Sequence, residues 1–372
     1  MSRPRALIVE PAGNLWGSER VLLDFLVAVA GSPWQIAVCC PPDTPIVDRL
    51  EALPVTVYPA FVAGLHHKGK AQRLWAAAGL LVAALRFRPR LLYVNQAGAT
   101  RIALLVARVL RIPVIAHVRL TEDAAYIQAL HASVAELPVV LSISHYIQDL
   151  FEERASDTQR RMEVIYSAYR PQQDWDDALL SRPFGPEPML ACVGRLTKSK
   201  GQDVVLQAIG ELNRQGVLAH GHFFGTGEPG DSFGLELEEL AADLGLGEQI
   251  HWHGYQEKIP SRIAPMAALI CPSYLEALGR VIFEAWDAGT IPVAWAGAGG
   301  PAEVIRDSEA GFLYAEQTGK SLAHTLQRVL ELSPSARQQM VERGRKWLST
   351  NCDPMAYGER MLALWGEASK LP

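Results

Sequence analysis

Glu276 and Glu284 stand eight positions apart in the stretch 271–303, which reads CPSYLEALGRVIFEAWDAGTIPVAWAGAGGPAE. An apolar run ends at Cys271, Pro272-Ser273 makes a turn, and a helix is expected to begin near Gly279, carrying Val281, Ile282, Glu284, Ala285 and Ala288. Gly289 stops that helix as a left-handed cap. Residues 291–295 read as a buried parallel strand, and the glycine turn 297–300 precedes a second helix start at Pro301. Two helix N-termini therefore open toward one edge of one sheet. Their unpaired N–H groups, with glycines that let a ligand approach the backbone, suit an anion. The spacing puts Glu276 in the loop and Glu284 about two turns into the helix. Taken alone, such a pair is more often a solvated loop glutamate and a helix-face glutamate than an acid and base.

A second set of charges follows the apolar run 189–193. In Gly194-Arg195-Leu196-Thr197-Lys198-Ser199-Lys200-Gly201 the cations sit in a glycine-bounded strand-to-helix loop. Such a loop can grip a pyrophosphate, with arginine as a fork of donors and lysine as a point charge, or can simply be a solvated basic turn. Gly225, Gly227 and Gly230 match G-x-G-x-x-G after a strand. Their place on the second strand of the domain, Pro229 and the late helix start near Phe233 argue against a dinucleotide fold. Asp174-Trp175-Asp176 reads as a solvated turn rather than a metal-binding Asp-x-Asp. His220/His222 and His251/His253 have same-face strand spacing without a third ligand, so no metal is expected. Cys39, Cys40, Cys192, Cys271 and Cys352 form no C-x-x-C and are expected as buried free thiols in a reducing cytoplasm.

The stretch 271–303 resembles the signature of the family-four retaining glycosyltransferases, the group 1 glycosyltransferases that use nucleotide sugars. The matching residues are Pro272-Ser273, Glu276, Gly279, Glu284, Ala285, Gly289, Pro292-Val293 and Gly299-Gly300-Pro301-Ala302-Glu303. The resemblance implies a GT-B architecture: two Rossmann-like doubly wound parallel-sheet domains facing a central cleft, with the C-terminal helix crossing back to the first domain. It implies a metal-independent, retaining transfer of a hexosyl group from a nucleotide-diphosphate sugar, with no cofactor besides that donor substrate. Arg195 and Lys200 become the donor-phosphate ligands, Glu276 the holder of sugar hydroxyls and Glu284 the ribose contact. Gly194, Gly225, Gly227 and Tyr255 line the nucleotide pocket, and Ala277, Leu278, Gly279 and Arg280 supply the helix start. In the first domain Gly17-Ser18-Glu19 resembles the family's Gly-Gly-x-Glu, with Ser18 in place of the second glycine. Gly17 is assigned to the donor, Ser18, Glu19 and Asn95 to the acceptor, and His117 to the donor sugar. A nucleotide-sugar epimerase, a glycan phosphorylase or a non-catalytic sugar-binding scaffold on the same architecture are the alternatives.

The elements that must position these residues alternate. Strands are expected at 6–9, 35–39, 55–58, 91–95, 113–118, 139–142 and 163–166, then at 189–193, 220–224, 250–253, 268–271 and 291–295, with helices between most of them and a helical tail after Leu313. This rhythm is that of doubly wound parallel sheets. With 372 residues, two domains are expected, 1–170 and 188–350, joined by a linker at 171–187 rich in Pro, Gln and Gly; the resemblance implies that the first binds the acceptor and the second the nucleotide sugar. The segment 351–372 reads as an amphipathic helix, which the resemblance makes the one returning to the first domain.

The net charge of −5 hides an uneven field. Between Glu51 and Glu122 there is no acidic residue but ten basic ones, Lys68, Lys70, Arg73, Arg86, Arg88, Arg90, Arg101, Arg108, Arg111 and Arg119. The stretch lacks the aromatic platforms of single-strand binders, which excludes nucleic acid as the expected partner. The apolar run 74–85 between basic clusters is far shorter than the roughly 20 residues needed to span a bilayer. It reads either as a buried helix or as part of a face that docks on an anionic membrane. The second reading leads to a lipid-linked or membrane-anchored acceptor, and the family resemblance implies a glycan or lipid-linked acceptor in cell-surface polysaccharide, lipopolysaccharide or glycolipid biosynthesis. The first strand begins at once without a signal-peptide core, so the expected place is cytoplasmic, peripheral on the inner face of the cytoplasmic membrane.

Overall fold

The structure, a computed structural model, describes residues 3–62, 69–133, 137–152, 161–171, 184–227 and 230–370. Residues 172–183 of the expected linker 171–187, with the Asp-x-Asp at 174–176, and Lys68 and Pro229 lie outside the described residues. The chain divides into two compact units, residues 1–170 with 352–372, and residues 171–351.

The first unit is built on β1 (Arg5–Val9), β2 (Gln35–Cys40), β3 (Thr56–Pro59), β4 (Leu91–Val94), β5 (Val114–Val118), β6 (Val139–Ser142) and β7 (Arg161–Val164). They form one parallel sheet in the order β3-β2-β1-β4-β5-β6-β7. Its helices are α1 (Gly17–Ala28), α2 (Pro45–Glu51), α3 (Lys70–Phe87), α4 (Thr100–Leu110), α5 (Asp123–Ser133) and α6 (His145–Glu152). Central strands such as β4 and, after Arg5, β1 are buried at every position because helices cover both faces. β7 begins two residues earlier than the apolar pattern suggests and pairs Arg161 to Val164 with Val139 to Ser142.

The second unit holds β8 (Met189–Val193), β9 (His220–Phe224), β10 (Ile250–Trp252), β11 (Ala268–Cys271), β12 (Ile291–Trp295) and β13 (Phe312–Tyr314), in the order β10-β9-β8-β11-β12-β13. Its helices are α7 (Gln202–Arg214), α8 (Phe233–Asp243), α9 (Ile259–Ile263), α10 (Arg280–Ala288), α11 (Gly300–Ser308), α12 (Gly319–Leu330) and α13 (Pro334–Asn351). On α7, Val205, Ile209 and Leu212 recur at helical spacing and enter the core with Leu322 and Leu326 of α12. β13 was not expected. Three residues are too short for a periodic signal, yet their backbone pairs with β12 and completes the sheet.

The last helix, α14 (Pro354–Ala368), belongs to the first unit. The Asp353 carboxylate caps it by accepting from Ala356 N at 2.8 Å, and Pro354 pre-sets its first turn. Trp365 is fully buried, with its ring 5.3 Å from Phe25 and 5.6 Å from Tyr93. Truncating such a side chain typically costs about 3–5 kcal/mol, so the tail is part of the first unit's core.

Candidate active site

In the second unit β8 and β11 are neighbours in the sheet but not in the chain. Their following loops diverge, and in doubly wound sheets the crevice so formed is where ligands sit. The loop after β8 is tied to its neighbour, with Gly194 N donating to Phe224 O at 2.9 Å and Leu196 N to Thr226 O at 3.1 Å. Gly225 N donates to Gly254 O at 2.8 Å, which joins the loop carrying Gly227 to the one carrying the exposed Tyr255. Gly225 has φ +144°, and a Cβ there would lie 1.9 Å from Gly194 O, so no other residue fits between these loops.

Across the crevice Lys200 Nζ donates to Glu276 Oε2, and both side chains remain 24% exposed. Ser273 Oγ donates to the same carboxylate oxygen at 3.2 Å. The backbone of Glu276 is fixed as well: its N–H donates to Ala298 O and its carbonyl accepts from Gly300 N, each at 2.9 Å. This makes a one-residue parallel bridge with Gly299. Burial alone would favour the neutral amine of Lys200, but the Glu276 carboxylate outweighs it and holds the ammonium pKa above the usual value. Arg195 is exposed and close enough for its charge to oppose that of Lys200. The crevice thus gathers Arg195, Lys200 and Glu276.

Ala277, Leu278 and Gly279 are buried and lead into α10. Gly279 has φ +74°, and a Cβ there would lie 2.4 Å from Pro301 Cγ, so the α10 start lies directly against the first turn of α11. Arg280 is the first residue of α10 and Glu284 the fifth. The helix begins after Gly279, so Glu284 lies about one turn in, not two. It is half-buried on that helix.

The equivalent edge of the first unit is closed by polar side chains. Glu10 follows β1 and is fully buried; it accepts from Ala12 N at 2.9 Å, Asn95 Nδ2 at 2.5 Å and Gln96 Nε2 at 3.1 Å. Gln96 Nε2 also lies 2.8 Å from Glu19 Oε1 and 3.1 Å from Ser18 Oγ, so the helix start 17–19 is held to the end of β4. Burial, then the Glu19 carboxylate, pushes Glu10 up to about 7. Arg119 Nε donates to Asn95 O at 2.8 Å and its Nη2 to Asn95 Oδ1 at 3.0 Å. Arg119 is thus buried and leaves the surface basic field to which its sequence position assigned it.

Asn95, expected to meet an acceptor, spends its amide on Glu10 and Arg119 instead. His117 is fully buried, and its Nδ1 is 2.8 Å from Tyr93 Oη. Burial, then the Arg119 charge, holds His117 well below the usual histidine range, so the ring is neutral. Its Nε2 is buried without a hydrogen-bond partner. Sequence reasoning missed Glu10, Gln96, Tyr93 and the buried state of Arg119. A charged residue closing the apolar run ALIVE was the available signal for Glu10.

Four histidines stack across β9 and β10, the last just beyond β10, with His220 Nδ1 3.2 Å from His251 Nε2 and His222 Nδ1 3.0 Å from His253 Nε2. Burial and the neighbouring rings press His222 down to about 4. Among the described residues no three His, Cys, Asp or Glu side chains are grouped as metal ligands. All five cysteines are buried and free.

Residues 181–347 match the family model of the glycosyl transferases group 1. The chain is 30% identical over 173 residues to the lipopolysaccharide core biosynthesis glycosyltransferase LpsE of Rhizobium meliloti, covering 46% of this chain and 48% of that protein. It is 37% identical over 135 residues to a D-inositol 3-phosphate glycosyltransferase of Nocardia farcinica, covering 34% of this chain and 29% of that protein. The chain thus spans about half the length, or less, of these curated relatives. Its fold is that of Anabaena HepE, solved with UDP and glucose, at TM-score 0.78 and 19% identity over 98% of this chain and 100% of that one. A glycosyltransferase from Rickettsia africae superposes at TM-score 0.81 and 17% identity over the full length of both. These likenesses identify two Rossmann-like domains of the GT-B class.

Proposed function

We propose that this chain, whose second unit is a group 1 glycosyl transferase domain, moves a sugar from a nucleotide-diphosphate sugar to a glycan or lipid-linked acceptor of a cell-surface glycan, with retention at the anomeric carbon and without a metal. The observation that carries this reading is the crevice between β8 and β11, where Lys200 and Glu276 meet across the switch point beside Arg195 and the α10 N-terminus. When the bond from the anomeric carbon to the diphosphate oxygen breaks, negative charge develops on the diphosphate. Arg195, Lys200 and the first-turn N–H groups of α10 stabilise that charge from fixed positions. Two protein cations supply the neutralisation, which is the ground for a metal-independent reaction. Glu276, oriented by Ser273 and by its backbone bridge, accepts hydrogen bonds from sugar hydroxyls, and Glu284 holds the ribose.

The likeness to LpsE supports a lipopolysaccharide or related acceptor, and HepE, which was solved in complex with UDP-glucose, supports the nucleotide-sugar class of donor. We place the acceptor with the first unit and the enzyme on the inner face of the cytoplasmic membrane. A panel of nucleotide diphosphates and their sugars, screened by thermal stabilisation, tests the donor assignment. A ligand at 100 times its dissociation constant adds about 2.7 kcal/mol. Stabilisation by one base that vanishes in Lys200→Ala supports the reading. Absence of any shift across the panel overturns it.

A further inference from the structure

α3 is apolar on both sides. Ala76, Leu80, Ala83, Ala84 and Phe87 are buried toward the sheet, as a helix covering β1 and β2 requires. The opposite stripe should be polar in a helix whose other face meets water. Instead it carries Leu74 at 66% exposure, Trp75 at 67%, Val82 at 50% and Leu85 at 55%. Trp75 stands beside the exposed Phe61, ring centroids 5.8 Å apart. The neighbouring α4 continues the surface with the exposed Leu105 and Val109. Sequence reasoning offered a buried helix or a docking face; the structure buries one side of the run and exposes the other.

Every charged residue carried by α3 and α4 themselves is basic, while the Asp123 carboxylate lies near Tyr126 and Arg101 at one end of α4. Arg86, Arg88 and Arg90 close α3, and Arg101, Arg108 and Arg111 run along and beyond α4, all exposed. No acidic residue occurs in the chain between Glu51 and Glu122, which contains both helices. Large apolar side chains beside exposed arginines of the same two helices match the chemistry of an anionic lipid surface, in which rings and methyls enter the headgroup layer while guanidinium groups meet phosphates. No described helix is long and apolar enough to cross a membrane. The fit is therefore to a helix pair lying on a leaflet.

We infer that the outer face of α3 and α4, centred on Trp75, Val82 and Leu85 and bordered by Arg86 and Arg90, is the surface by which this protein docks on an anionic bilayer. This rests on the membrane placement in the function proposed above and names the face that performs it. Trp75 and Val82 supply the inserted apolar area, and the arginines supply the selectivity for anionic headgroups.

The test is co-sedimentation of the full chain with phosphatidylcholine vesicles and with phosphatidylcholine–phosphatidylglycerol vesicles, at low and high salt. The variants are Trp75→Ser/Val82→Ser and Arg86→Glu/Arg90→Glu. Wild type should bind the anionic vesicles and release with salt. Arg86→Glu/Arg90→Glu should lower the partition coefficient by about 30-fold or more, at about fivefold per basic residue lost. The serine pair should weaken binding at both salt concentrations. Nucleotide titration on the same preparations separates the two claims. Lost vesicle binding with intact nucleotide affinity supports the docking face. Unchanged vesicle binding in both variants overturns it, as does equal recovery on neutral and anionic lipid or no recovery on either. Sedimentation velocity that finds a dimer abolished by Trp75→Ser/Val82→Ser assigns the face to a second copy and also overturns it. Loss of nucleotide binding in the wild-type chain would strike the proposed function instead.

Discussion

The two units build the same crevice and fill it differently. In each, the first strand of the sheet lies beside a strand distant in sequence, β1 beside β4 and β8 beside β11. In each, a pair of side chains bridges the gap at the C-terminal edge. In the second unit the pair is Lys200 with Glu276, a quarter exposed and framed by glycines. In the first it is Glu10 with Asn95, both fully buried and joined by Gln96 and Arg119. A charge pair at a water-accessible edge can exchange its partner for a ligand at small cost. A buried network that leaves one partner unmatched loses the full desolvation of that group. The topology supplies a crevice in both units, and the side chains decide whether it serves exchange or rigidity.

The largest effect should come from dismantling the exposed pair's electrostatics. Arg195→Ala and Lys200→Ala are each expected to lower kcat about 100- to 1000-fold, as loss of one preorganised donor does at a developing anion. If both serve one diphosphate, as proposed, the double variant should lose less than the product of the two. Steady-state kinetics on the three variants decide this. Full multiplicativity would assign them to separate sites and leave the second unit's crevice without a diphosphate.

The buried pair should instead report on folding. Glu10 has a folded pKa of about 7 against an ordinary value of 4.5. A raised carboxyl contributes its stability below the unfolded pKa and loses it as pH rises through the folded one. Between those two values the unfolded chain releases a proton that the folded chain keeps, so stability falls with rising pH. The difference corresponds to about 3 kcal/mol. Glu10→Gln keeps the shape and removes the titration. Urea unfolding of both proteins from pH 4.5 to 8 should show wild type losing about that much relative to the variant. Parallel profiles would mean that Glu10 is ionised throughout and that the first unit's edge resembles the second's.

What could be read from the chain follows the same division. The second unit's site is local: Glu276, Gly279 and the starts of α10 and α11 fall within one stretch, and the strand runs and glycine caps mark its elements. The first unit's network is not. Glu10 and Asn95 are 85 positions apart and meet only because β1 and β4 become neighbours. Arg119 reads as one cation among ten until the fold places it under Tyr93 and Tyr357. The outer stripe of α3 was equally hidden, because a run apolar on every side carries no sign of which face the sheet will take.

The smallest expected effect concerns Glu284, which tests how far the open character of the second crevice extends along α10. Glu284 lies one turn into the helix, half-buried and beyond the Gly279 turn, and its carboxylate is the proposed ribose contact. Hydrogen bonds to a charged acceptor are worth about 1.5–3 kcal/mol, so Glu284→Ala should weaken nucleoside diphosphate binding about tenfold or somewhat more. Melting should be nearly unchanged, since a glutamate-to-alanine change in a helix interior carries no propensity cost. Calorimetric titration with the nucleoside diphosphate and, in parallel, with inorganic pyrophosphate separates the possibilities. A ribose contact predicts weaker binding of the first and unchanged binding of the second. Equal loss on both would make Glu284 part of the α10 scaffold that presents the helix N-terminus, and the second unit's edge would then share the rigidity of the first.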